Sequence, residues 1–151
     1  VRTTFKAVLR ALVPLAAVLA LSACAHVPAA TPSGELRTAT AYVDAYNSRD
    51  LPAMLVLMHD EVQWLSIKGS EVEVFANGKA DLAKQMESYL ASPMVTTSEI
   101  DGSVRDGRFV AVREIARWRD GEGKSRAQSA LAVYEIESGL VRRVWYYPET
   151  R

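Results

Sequence analysis

This 151-residue chain carries little of the usual chemical hardware. Its one cysteine, Cys24, cannot form an intramolecular disulfide. Two histidines, His26 and His59, with no further thiol do not make up a usual zinc donor set, so no metal is expected. Eight glycines are scattered among turns, and none opens a phosphate-cradling loop; no cofactor is expected either. Lysine and arginine number 18, as do aspartate and glutamate. Without a basic surplus there is no footprint for displacing counterions, so no nucleic-acid partner is expected. The apolar stretch Ala11–Leu21 falls short of the roughly 20 residues a membrane-crossing helix needs. What is present is an ordinary globular mix, 49% apolar and 24% charged, sufficient for one domain.

The first segment carries an address. Arg2, Lys6 and Arg10, with no acid, precede and flank the apolar stretch, and small residues follow it. That pattern predicts a secretory signal over residues 1–23. The sequence Leu21-Ser22-Ala23-Cys24 resembles the bacterial lipobox. The resemblance implies cleavage before Cys24 and acylation of its sulfur and amino group. Several acyl chains make such an anchor stable, since each buried methylene contributes about 0.8 kcal/mol. Ala25, rather than Asp, follows the cysteine, which implies the periplasmic side of a bacterial outer membrane. Residues 24–34 then read as the lipidated cysteine and a flexible tether rich in Pro, Ala, Ser and Thr. His26 lies in this tether and has no expected role.

The remainder, 35–151, reads as one α+β domain. Leu36, Ala39, Val43 and Tyr46 recur at helical spacing, with Tyr42 on the flank. Asp50 is placed to cap a second helix, with Pro52 in its first turn and Leu51, Met54, Leu55 and Met58 as its stripe. A third helix is predicted over 79–91, with Leu82, Met86, Tyr89 and Leu90 on one face. Strands are predicted at 62–67 and 72–75. Past Pro93 the period changes to two, giving strands at 95–105, 108–119, 124–137 and 140–147 joined by glycine-bearing turns.

Two stretches, AYVDAYNSRDLPAMLVLMHDEVQW (41–64) and VYEIESGLVRRVWYY (133–147), are similar to the nuclear transport factor 2-like superfamily of SnoaL-like cyclases and ketosteroid isomerases. The resemblance implies a cone-shaped roll: three N-terminal helices on a strongly curved, mainly antiparallel six-stranded sheet, with an apolar pocket at the open end. It also allows a test. The ketosteroid isomerases' oxyanion-donating tyrosine falls at Tyr42. Their general base falls at Ser66 and their second, protonated donor near Ala132. With two of three groups missing, steroid isomerase activity is not expected. Because this fold hosts many chemistries and members with none, the fold does not settle function.

Strand alternation nominates the pocket. Val110, Val112, Ala116 and Trp118 share one face of the fourth strand, and Glu114 sits among them. A carboxylate on an apolar face is either a pocket acid or base raised by desolvation, or half of an ion pair with Arg126 or Arg142. Trp64 and Ser66 from the first strand, Gln128 and Tyr134 from the fifth, and Tyr42, Tyr46, Met86 and Tyr89 from the helices complete the candidate wall. The last strand is apolar on both faces, so either Arg142, Val144 and Tyr146 or Val141, Arg143, Trp145 and Tyr147 point inward. His59, expected at the end of the second helix, suits its negative pole. The leading expectation is a non-catalytic binding module for a small apolar ligand or a partner. The alternatives are an isomerase-, lyase- or cyclase-type enzyme using Tyr42 and Glu114, and a structural homodimer through Leu131, Val133, Trp145 and Tyr147.

Overall fold

The computed structural model describes residues 34–147. The signal, Cys24 and nearly all of the tether lie outside them. Contacts divide the chain into Val1–Ala30 and Thr31–Arg151, and every residue of the hydrophobic core described below falls in the second unit.

Helix α1 (Gly34–Asn47) buries the stripe Thr38, Ala39, Tyr42, Val43 and Ala45. Short α2 (Leu51–Val56) is capped by Asp50, whose side chain accepts from the Ala53 amide at 2.9 Å. Here expectation and structure part. The helix stops at Val56, and Met58 and His59 open strand β1 (Met58–Lys68). Met58 still reaches the core, fully buried, while His59 Nδ1 accepts from the Glu61 amide at 3.1 Å rather than meeting a helix pole. Strand β2 (Glu71–Asn77) runs back along β1. Gly78, with φ +93°, turns the chain into α3 (Lys79–Leu90) while its amide donates to Val62 O at 2.7 Å; a side chain there would be strained.

The meander follows as β3 (Thr97–Asp106), β4 (Phe109–Arg119), β5 (Ser125–Glu137) and β6 (Leu140–Tyr147). Ser138 and Gly139 both have positive φ, as a tight primed hairpin turn requires. The sheet order is β2-β1-β6-β5-β4-β3, antiparallel except where β1 meets β6. The last strand therefore lies inside the sheet. The helices pack on one face, as expected for the cone.

Register irregularities in β1, β2, β3 and β6 bend the sheet and re-aim individual side chains. Between β5 and β6, Glu135 pairs with Arg143 and Ile136 with Val141, leaving Arg142 as the extra residue. That settles the ambiguous strand. Val144 and Tyr146 face the core, Val141 joins them past the bulge, and Trp145 lies on the outer face with its ring 6.3 Å from Phe109.

Candidate functional site

Between the helices and the inner sheet face lies a cavity of about 340 Å³. Helix periodicity brings Tyr42 and Tyr46 (i, i+4 on α1) and Met86 and Tyr89 (i, i+3 on α3) to its wall. Trp64, Glu114, Ala116 and Tyr146 enter from β1, β4 and β6, Ser98 from the start of β3 and Thr96 from the residue just before it. The rings interlock: Tyr42 stands 5.3 Å from Trp64 in a tilted pair, and Trp64 stacks on Tyr146 at 5.5 Å. The Tyr46 hydroxyl donates to that of Tyr89 at 3.2 Å, tying α1 to α3. Burial and that bond push the Tyr46 phenol well above its ordinary value.

Glu114 is the chemical centre. It is only 8% exposed, and among the described residues no arginine pairs with it. Tyr134 donates to one carboxylate oxygen, Ser98 Oγ donates to the other at 3.2 Å, and Tyr146 lies 3.3 Å from both. Desolvation raises its pKa, and the three hydroxyl donors, which favour the ionised form, oppose that rise without cancelling it. The ion-pair alternative fails in both forms: Arg126 binds Asp120 at 2.7 Å, and Arg142 binds Glu61 at 2.8 Å. The contrast with Glu135 is instructive. That carboxylate is 2% exposed but is clasped by Arg108 at 2.9 Å and Arg143 at 3.1 Å. Tyr42 is also raised, first by its own burial and then by the Glu114 charge, so the two share one electrostatic environment.

A second cavity of about 300 Å³ adjoins the first through Tyr89, Thr96, Glu114, Ala116 and Tyr146, and is lined further by Trp118 and Gln128. Eight of the expected wall residues therefore line one space or the other. Tyr134 sits behind the wall, fully buried, and acts through Glu114. Ser66 lines neither space. Phe75 was not expected. Trp64 pairs with Ala76 and Leu65 with Val74, so Phe75 is the unpaired residue of a bulge and joins the wall beside the buried Ala76. Strict alternation conceals it. Among the described residues, no three His, Cys, Asp or Glu side chains gather to hold a metal.

A curved sheet wrapped on three helices around an apolar cavity defines the nuclear transport factor 2-like class of cone folds. The SnoaL-like domain family matches residues 39–144, and the chain belongs to it. Among solved structures, an NTF2-like protein of unknown function from Burkholderia pseudomallei has a TM-score of 0.65 at 17% identity, covering 78% of this chain and 92% of its own. A Mycobacterium tuberculosis protein in complex with estradiol-17beta-hemisuccinate has a TM-score of 0.64 at 14% identity, covering 76% and 93%. TerC, co-crystallised with polyporic acid, has a TM-score of 0.63 at 16% identity, covering 76% and 90%. These likenesses show the fold. No curated protein matches the sequence at a significant level.

Proposed function

We propose that this chain is a bacterial lipoprotein, anchored through acylated Cys24 on the periplasmic side of the outer membrane, whose cone is a non-catalytic receptor for a small, largely apolar molecule. One observation carries the receptor reading: an apolar, ring-lined cavity of about 340 Å³ with a few placed hydroxyls and a single carboxyl. Small-molecule sites run from about 300 to 1,000 Å³ with that composition. Similar cones are described with estradiol-17beta-hemisuccinate and with polyporic acid, both ring compounds, which supports the reading. Absence of catalysis is argued from Ser66 and Ala132 at the isomerase positions, and from Glu114 being engaged by three hydroxyls of its own chain. Native mass spectrometry of protein released from its own cell envelope tests this. A copurified mass that leaves on unfolding is expected; protein that is empty and takes up no ring compound refutes it.

A second reading is favoured by Tyr42 and Glu114 lining one cavity with Glu114 raised. It makes the chain an isomerase, lyase or cyclase acting on a polyketide- or terpenoid-like substrate. Turnover of such compounds that disappears in Glu114→Gln while binding persists would establish it. The outer sheet face, where Leu131 is 47% and Tyr147 39% exposed, fits a homodimer. Sedimentation equilibrium decides that point, and a monomer at high concentration rejects it.

A further inference from the structure

From the cavities and the charges at their far end we infer that the ligand is an amphipathic anion, its apolar body in the cone and its charged head at a basic rim. The inference rests on the receptor reading and names the ligand class. Three spaces lie in series. The cone cavity opens into the second space along Glu114 and Ala116. The second shares Met94 and Trp118 with a third, of about 630 Å³, between the 93–95 segment and the end of the β4–β5 hairpin. Aromatic and aliphatic side chains dominate the first two. The third is lined by Arg117, Arg119 and Arg126, and among the described residues no acid lines it.

The rim cations are unequally occupied. Arg126 is paired with Asp120 at 2.7 Å, and Arg117 reaches Glu99 at 3.4 Å. Arg119 donates at 2.9 Å to the carbonyl of Gly123, a neutral partner, and its positive charge remains available to a ligand. The inner end has the opposite character. Glu114 lies there in a desolvated setting, so an anionic head placed beside it would meet a like charge or oblige the carboxyl to hold a proton from solvent. The two ends therefore orient a ligand one way only. Arg117 and Arg119 lie three and five residues beyond Glu114 on β4, about 10 and 17 Å of strand, and at this odd spacing they start from the opposite face and meet Trp118 at the rim where the strand ends. That span suits a fused-ring or medium-chain body carrying a carboxylate or sulfonate.

A probe pair that differs only by a sulfonate isolates the head group. Anilinonaphthalene sulfonate and neutral N-phenyl-naphthylamine are titrated into the full chain with excitation through tryptophan, since Trp64 lines the cone and Trp118 the rim. Tighter binding of the sulfonate at low salt is expected, an advantage lost in high salt. Arg119→Glu is expected to weaken the sulfonate about tenfold and to leave the neutral probe unchanged, which also shows the fold intact. Ala116→Phe, at the wall common to the first two cavities, is expected to abolish both. Equal affinities, indifferent to Arg119→Glu, overturn the anionic head while leaving the receptor standing. Failure of the unaltered chain to bind either probe, or persistence of either in Ala116→Phe, overturns both.

Discussion

The hydroxyl of Tyr134, fully buried on β5, donates to the carboxylate of Glu114 on neighbouring β4. This bond holds a carboxyl at the base of an apolar cavity where, among the described residues, no cation pairs with it. Removing the donor in Tyr134→Phe leaves desolvation less opposed, so the Glu114 pKa is expected to rise further. Loss of a hydrogen bond to a buried polar group also costs about 1–3 kcal/mol. Carboxyl-carbon NMR titration checks the first effect and chemical denaturation the second. An unchanged or lowered midpoint would refute the first.

Glu114 gives the stability a characteristic pH dependence. Its pKa is raised on folding, so the native state holds that proton more tightly than the unfolded chain. The group's contribution is full below the ordinary carboxylate value and is lost as pH rises through the raised one. Asp60, lowered by its hydrogen bond and ion pair with Lys79, acts in the opposite sense and is lost on acidification. The difference between unaltered protein and Glu114→Gln isolates the former. Melting curves across the acidic range are expected to show the unaltered protein losing stability relative to the amide as pH rises; parallel curves would contradict this.

Asn47 at the end of α1 docks that helix on β3 by a reciprocal pair. Its amide nitrogen donates to Ser98 O at 2.8 Å, and its oxygen accepts from Ser98 N at 2.7 Å. The Ser98 Oγ in turn donates to Glu114. Asn47→Ala orphans two part-buried backbone groups and is expected to cost about 3 kcal/mol, read as a lower urea midpoint at unchanged slope. Asn47→Asp retains the acceptor but sets a carboxylate oxygen against the Ser98 carbonyl, so a loss at least as large as that of the alanine variant is expected at neutral pH.

The address is tested separately. Cys24→Ser is expected to abolish incorporation of a labelled fatty acid and to move the chain from the membrane fraction to the soluble one. Persistent label in the variant would refute acylation at this position.

Element order was readable because helical spacing and strand alternation are strong in this chain, and because turn chemistry separates the strands at Asp106-Gly107 and Ser138-Gly139. The wall residues on regular stretches, such as Tyr42, Tyr46, Tyr89 and Glu114, followed from those periods. What resisted lies where the period breaks. Phe75 and the inward side of β6 depend on bulges, which shift one strand against its neighbour and leave no local mark. The end of α2 was misplaced because Met58 suits a helix stripe and a core strand equally well. Glu114 stood out as an anomaly, but its partners lie on three other strand segments, so the choice between ion pair and hydroxyl cluster needed the tertiary structure.

The placement of β6 between β1 and β5 has a consequence for folding. Until Leu140–Tyr147 arrives, the β1–β2 hairpin and the β3–β4–β5 meander share no edge, and there is no continuous sheet to enclose anything. The strand that joins the two halves is thus the last in sequence among the described elements. Such late, sequence-distant closure is slow and keeps strand edges open in the meantime. The hollow between helices and sheet is therefore finished by one closing contact, and the chain stays pliable until that contact is made.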